Sequence, residues 1–219
     1  MGPHPWACGH AMAPRVGPGH GSGLLGADGQ AWELSWALSA AEAAGDAIAG
    51  VAVDFRKAYD TVRLALMARV LRAAGWPECI VGPVMSAYYG PRRLRVAGAL
   101  GPAWDPLCGI PAGCPLAVDA LAVLTWAWAV AVEAIPGPPA ARRYVDDLTG
   151  WTRGSDPEQV VAAAADLWGV TRRFADACQL DVNMTKSVMF GAPASVRQAL
   201  AAAEPEVVVA TCFRDLGIQ

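Results

Sequence analysis

RRYVDDLTGW, residues 142–151, sets two adjacent aspartates, Asp146 and Asp147, among residues that alternate in polarity. Such alternation around a short acidic pair predicts a tight β-hairpin with the acids at its bend. Well upstream, GVAVDF (50–55) is short, apolar and β-branched, as a buried strand should be, and it runs into Asp54. Both acidic sites therefore sit beside strongly apolar strand residues. Charge at the edge of a buried sheet is costly unless paired or metal-bound. Only the fold can bring Asp54 to the acidic pair. If it does, three carboxylates at adjacent strand ends repel one another until a cation joins them, and hard oxygen donors of this kind suit Mg²⁺. An acidic pair at a hairpin tip is also ordinary turn chemistry, so the pair alone does not decide between these readings.

The remaining elements follow from periodicity. Residues 31–47 read as a helix, with Trp32, Trp36 and Leu38 among alanines. Thr61 is the expected N-cap of a helix whose face carries Leu64, Met67, Leu71 and Ala74, closed by Gly75 and Pro77. A short helix is expected over 79–89, then a hairpin over 92–107 turning at Gly101-Pro102. Residues 115–135, PLAVDALAVLTWAWAVAVEAI, have the length of a membrane span. Asp119 and Glu133 inside the segment, and the prolines that bound it, make it a buried core helix instead. Ser155-x-x-Glu158 with Pro157 reads as a capping box opening a long helix to about Cys178. Strands at 187–190 and 206–210 flank a helix near 194–203. The order predicts an α+β fold with a mostly antiparallel sheet packed on helices.

The 219-residue chain is 54% hydrophobic and 17% charged, which favours a sizeable core over wholesale disorder. A net charge of −3 argues against phosphate binding. The acidity, however, lies in residues 1–53, where Arg15 stands against four acids, and the arginines further on cluster as Arg92-Arg93-x-Arg95, Arg142-Arg143 and Arg172-Arg173. Those clusters suit either a phosphate backbone or a solvated face. The six scattered cysteines fit a reducing, intracellular setting, and Cys8, His10 and His20 match no standard zinc spacing. Nothing at the N-terminus reads as a secretory signal. Residues 1–23 are rich in Gly and Pro, show no hydrophobic period, and are expected to be disordered or extraneous to the domain.

In order along the chain, five segments resemble the palm motifs of reverse transcriptases, especially those of non-LTR (LINE-type) retrotransposons. VAVDFRKAYDTV (51–62) is similar to the first palm motif, GIPAGCPL (109–116) to Gly-x-Pro-Gln-Gly, YVDD (144–147) to Tyr-x-Asp-Asp, LDVNMTKSVMF (180–190) to Leu-x-x-Asn-x-x-Lys-Thr, and DLGI (215–218) to the start of the primer-grip motif. The resemblance covers residues 24–219, with 24–50 as the end of the fingers region and 51–219 as palm. It implies a right-hand polymerase core that joins dNTPs to a DNA primer on an RNA template by two-metal catalysis, with two Mg²⁺ ions, or Mn²⁺, held by Asp54, Asp146, Asp147 and the carbonyl of Phe55. It implies further that Tyr59 crowds a ribose 2′-hydroxyl, and that Gly109, Pro111 and Gly113 shape the loop beside the templating base and nucleotide. Asn183 would hold its loop in place, Lys186 would serve the departing pyrophosphate, and Lys57 and Asp60 would orient the strand end.

Two substitutions depart from the pattern: Ala112 replaces the usual Gln, and Cys114 a common Ser. Fingers motifs are incomplete and a thumb is missing, so a fragment is expected. A catalytically dead remnant that folds or binds RNA is the alternative reading. An RNA-directed RNA polymerase is a further one, disfavoured by Tyr59.

Overall fold

The computed structural model describes residues 27–111, 113–137 and 139–211. The expectations for residues 1–23 and for the DLGI segment lie outside these, as does Ala112. Helix α1 (Ala27–Ala44) leads into strand β1 (Ala47–Val53). Then come α2 (Ala58–Thr61), α3 (Leu64–Ala73), α4 (Glu78–Tyr89), and the two-residue strands β2 (Arg95–Val96) and β3 (Ala99–Leu100). Helix α5 (Ala117–Glu133), strands β4 (Ala140–Tyr144) and β5 (Asp147–Gly154), helix α6 (Pro157–Cys178), strand β6 (Val188–Ala192), helix α7 (Ala194–Ala203) and strand β7 (Val208–Ala210) complete the fold.

The main sheet has the order β4-β5-β1-β6-β7. All of its pairings are antiparallel except β6 with β7, which α7 connects as a crossover. The class is α+β, as the sequence predicts. β1 lies at the centre and is buried along nearly its whole length, which explains its unbroken apolar run. Its pleat splits the core in two. Ala47, Ala49, Val51 and Val53 join the large cluster formed with Leu121, Leu124, Trp128, Leu148, Leu167 and Met189. Ile48 faces the other way, against Trp151, Phe190 and the α1 residues Leu34 and Ala41. Eight residues of α5 are buried, so its apolarity all round belongs to a core helix. Among the described residues no helix is long and apolar enough to cross a membrane.

Several boundaries move, each for a local reason. Thr61 does not cap the helix after it. It ends α2, and its hydroxyl donates to the Lys57 carbonyl. Val62 is extended, and its carbonyl accepts from Gly109, while Arg63 bridges Cys108; that pairing delays α3 to Leu64. The exposed hairpin turns at Ala97-Gly98, not at Gly101-Pro102, because Ala97 and Gly98 both adopt the positive φ that a tight two-residue turn requires. Gly101 instead donates to the Leu94 carbonyl in the returning arm.

The cap of α6 is Asp156 rather than Ser155. Its carboxylate accepts from the Glu158 and Gln159 amides, with Pro157 as the first helical residue. A carboxylate at a helix N-terminus also meets the positive end of the helix dipole. Asp156→Ala is therefore expected to cost about 1 kcal/mol in urea denaturation. Ser155→Ala is expected to change stability by less than about 0.5 kcal/mol, as for an ordinary surface site.

Candidate active site

β1 ends at Val53 opposite Leu148, and β5 begins at Asp147, which pairs with Tyr144 across the hairpin bend. Asp54 directly follows Val53 and Asp147 directly precedes Leu148, so both acids lie at the same end of the β1–β5 ladder. The sheet thus delivers all three aspartates to one end. The bend itself is Val145-Asp146. Val145 has φ of +60°, which is costly for a β-branched residue and marks a conformation imposed by its surroundings. Those surroundings are on α5. The Thr125 hydroxyl lies 3.1 Å from the Val145 carbonyl oxygen, and Arg143 donates to the Ala122 carbonyl at 2.6 Å.

Past β1 the chain turns onto the loop between α6 and β6. Arg56 donates to the Asp181 carbonyl and Asn183 to the Asp54 carbonyl, both at 2.8 Å, with Phe55 bridging Val182. This pairing is out of step with the β1–β6 ladder, so residues 184–186 bulge between the two stretches. The bulge brings two polar groups to one oxygen of Asp54: the Asn183 side-chain amide at 2.7 Å and the Lys186 ammonium at 3.8 Å. Asn183, expected to hold its own loop, here also holds Asp54. The Phe55 side chain is core, buried and 6.3 Å from the Phe174 ring, so only its backbone is offered to a ligand. Asp54, Phe55, Arg56, Lys57, Asn183 and Lys186 line an open cleft of about 470 Å³.

Burial raises the Asp146 carboxyl above its ordinary value; a hydrogen bond with its own backbone opposes this, and the charge of Asp54 adds to it. Tyr59 is likewise raised, first by burial and then by the charges of Asp146 and Tyr144. Tyr59 thus lies within electrostatic reach of Asp146. Its carbonyl accepts from Ile110 at 2.7 Å, tying the 109–113 loop to the same place. Gly109 has φ of +88°, a Cβ there would lie 3.0 Å from the Asp60 carbonyl oxygen, and Arg92 donates to its carbonyl at 2.5 Å. Pro111 and Gly113 are exposed, and nothing would crowd a side chain at Gly113.

The donor set is all oxygen, with carboxylate repulsion that Lys186 relieves at Asp54, and that chemistry fits a hard divalent cation. In these rotamers, however, no three acidic, thiol or imidazole side chains among the described residues are gathered as a ready metal site. One oxygen of Asp54 is turned to Asn183 and Lys186 instead.

The arginine clusters are partly spent within the fold. Arg142 pairs with Glu33 and lies 5.5 Å over the Trp151 ring, and Arg172 pairs with Glu206. Arg93 and Arg95 stand on the exposed hairpin. Sequence reasoning overlooked two residues that build the site, Ser187 and Thr125, and offered Arg92 only as part of an arginine cluster, whereas it holds the Gly109 carbonyl. Thr125 is the only hydroxyl residue in the apolar segment 115–135, and Ser187 is a polar residue opening an apolar strand. Either oddity was a usable signal.

No protein-family model matches the chain, and no curated protein matches it significantly. Solved structures do. Telomerase from Candida tropicalis, in complex with the TWJ fragment of telomeric RNA, superposes with a TM-score of 0.53 at 12% identity, over 74% of this chain and 29% of that one. The apo telomerase of the same organism, truncated from its C-terminal domain, gives 0.56 at 14% identity, over 77% and 35%. The chain shares its fold with those telomerase structures. At such identity the likeness concerns the fold alone, and this chain spans about a third of the length of those telomerase chains.

Proposed function

We propose that this chain is the palm of an RNA-directed DNA polymerase, from a non-LTR retrotransposon by its motifs, acting on an RNA template, a DNA primer and dNTPs. The observation that carries the reading is the delivery of Asp54, Asp146 and Asp147 to one end of a sheet whose fold is shared with telomerase, with Tyr59 within electrostatic reach of Asp146. The RNA in the complex of the telomerase relative supports an RNA partner.

In this reading Asp54, Asp146 and Asp147 hold the metal ions, with the Phe55 carbonyl as a further oxygen donor. Two Mg²⁺ or Mn²⁺ ions, when bound, supply the positive charge that activates an attacking hydroxyl and neutralises a leaving phosphate oxygen. Asn183 holds Asp54 in place. Lys186, exposed beside the cleft, neutralises Asp54 and serves the departing pyrophosphate. The Tyr59 ring crowds a ribose 2′-hydroxyl, and Gly109 gives its loop the backbone conformation that places the nucleotide. Pro111 and Gly113 leave the outer face of that loop open.

Primer extension on an RNA template with Mg²⁺ tests this. Wild type is expected to extend with dNTPs. Tyr59→Val is expected to lower the preference for dNTP over rNTP by about 10- to 100-fold, the range a steric contact commands. An unchanged preference removes Tyr59 from this role. A dead remnant is the second reading, favoured by the Asp54 carboxylate being engaged with Asn183 and Lys186; failure of wild type to bind Mn²⁺ in calorimetry selects it.

A further inference from the structure

Four described polar side chains are fully or almost fully buried: Thr125, Thr149, Thr171 and Ser187. Two of them meet backbone that carries the aspartates. The Ser187 hydroxyl accepts from the Asp54 amide at 3.1 Å and lies 3.4 Å from the Asp54 carbonyl oxygen. The last β1–β6 ladder pair is Ala52 with Val188, and the next pairing, Phe55 with Val182, is out of step with it. Ser187 fills that break. Without it the Asp54 amide, at a partly buried position, would lose its partner at the residue where the strand must hold still. At the other strand end the Thr125 hydroxyl lies 3.1–3.2 Å from three carbonyl oxygens, two on its own helix and the third on Val145. Val145 is the strained residue before Asp146.

We propose that Ser187 and Thr125 are positioning residues that clamp the backbone of Asp54 and Asp146 at a fixed separation, an inference that rests on the metal-binding reading of those aspartates. Each hydroxyl acts on main chain, not on a carboxylate, so each leaves the oxygen donors free to turn. A shared cation needs its donors set to within a fraction of an ångström, and misplacement by about 1 Å costs as much as about 100-fold in function. The clamps supply that register where regular ladder bonds have ended.

The test is Mn²⁺ affinity by calorimetry on the full chain, with thermal melting of every variant. Ser187→Ala and Thr125→Val are each expected to weaken Mn²⁺ binding by about tenfold, as is typical for groups that orient metal ligands. Ser187→Thr and Thr125→Ser, which keep the hydroxyl, are expected to bind within about twofold of wild type on the same scale. Thr171→Val is the structural control: its hydroxyl accepts from Trp128 Nε1 at 2.9 Å, away from the aspartates. It is expected to melt lower yet bind Mn²⁺ as wild type does. If Ser187→Ala does not fold, Ser187→Cys takes its place, with affinity between alanine and wild type. Wild-type affinity in both hydroxyl-deleted variants overturns this inference and leaves the polymerase reading standing. Failure of wild type itself to bind Mn²⁺ overturns the polymerase reading and this inference with it.

Discussion

Asp146→Asn is expected to abolish primer extension while raising the melting temperature of the metal-free protein. The two effects share one cause. Asp146 is partly buried and faces the charge of Asp54, and both raise its carboxyl above the ordinary value. A carboxyl raised in the folded state adds stability below its unfolded value of about 3.9 and loses that stability as pH rises through its folded value. At neutral pH the ionised group therefore opposes folding, and the neutral amide removes the opposition. In the proposed reading the same change also removes a metal donor. Losing several kcal/mol of charge stabilisation lowers kcat by about 10³-fold or more. Melting curves of wild type and variant, recorded with EDTA across pH, check the first half: the gap is widest near neutrality and closes toward pH 4. A variant that melts lower than wild type at neutral pH contradicts the electrostatic account, and one that still extends primers removes Asp146 from catalysis.

Gly50→Ala is expected to be the most damaging small change in the sheet. Gly50 is directly opposite Trp151 on one side and Phe190 on the other. A Cβ there would lie 2.2 Å from the Gly150 carbonyl oxygen, 2.9 Å from Trp151 Cα and 2.6 Å from Phe190 Cζ. Two of those atoms are backbone of β5, which cannot retreat without breaking the central ladder and shifting Asp147. Overpacking of this kind costs about 3 kcal/mol or more. Gly82→Ala is the contrast: in α4, where the nearest atom is a Glu78 oxygen at 3.9 Å, it is expected to stabilise by about 0.5–1 kcal/mol. Urea denaturation of the two variants reads both outcomes, and a stable Gly50→Ala would mean that the β1–β5 pairing is looser than drawn.

Much of this architecture was legible in the residues. The alternation around Asp146-Asp147 named the β4–β5 hairpin, and the apolar run before Asp54 named the central strand. The charged and proline-bounded segment 115–135 named a core helix. These are local signals, where side-chain period and turn chemistry act on neighbours in sequence. The misread boundaries were decided by distant partners: Val62 and Arg63 are extended because residues 108–109 pair with them. Sequence alone also offered Arg142 as a phosphate-tracking residue, whereas Glu33 and Trp151 occupy it.

For the candidate site, the sequence by itself determined the chemical inventory: three aspartates at strand ends, a tyrosine five positions after the first, and an asparagine and a lysine before a later strand. Tertiary structure alone decided how they meet. The register of β1 against β5 brings Asp54 and Asp147 to the same end of the ladder, the bulge at 184–186 turns Asn183 and Lys186 onto Asp54, and buried hydroxyls on α5 and at the start of β6 reach the backbone at Asp54 and Asp146. The reason is range. Periodicity reports which face a residue shows, but a hydrogen bond between residues more than a hundred positions apart exists only once hydrophobic burial has closed the sheet and brought donor and acceptor together.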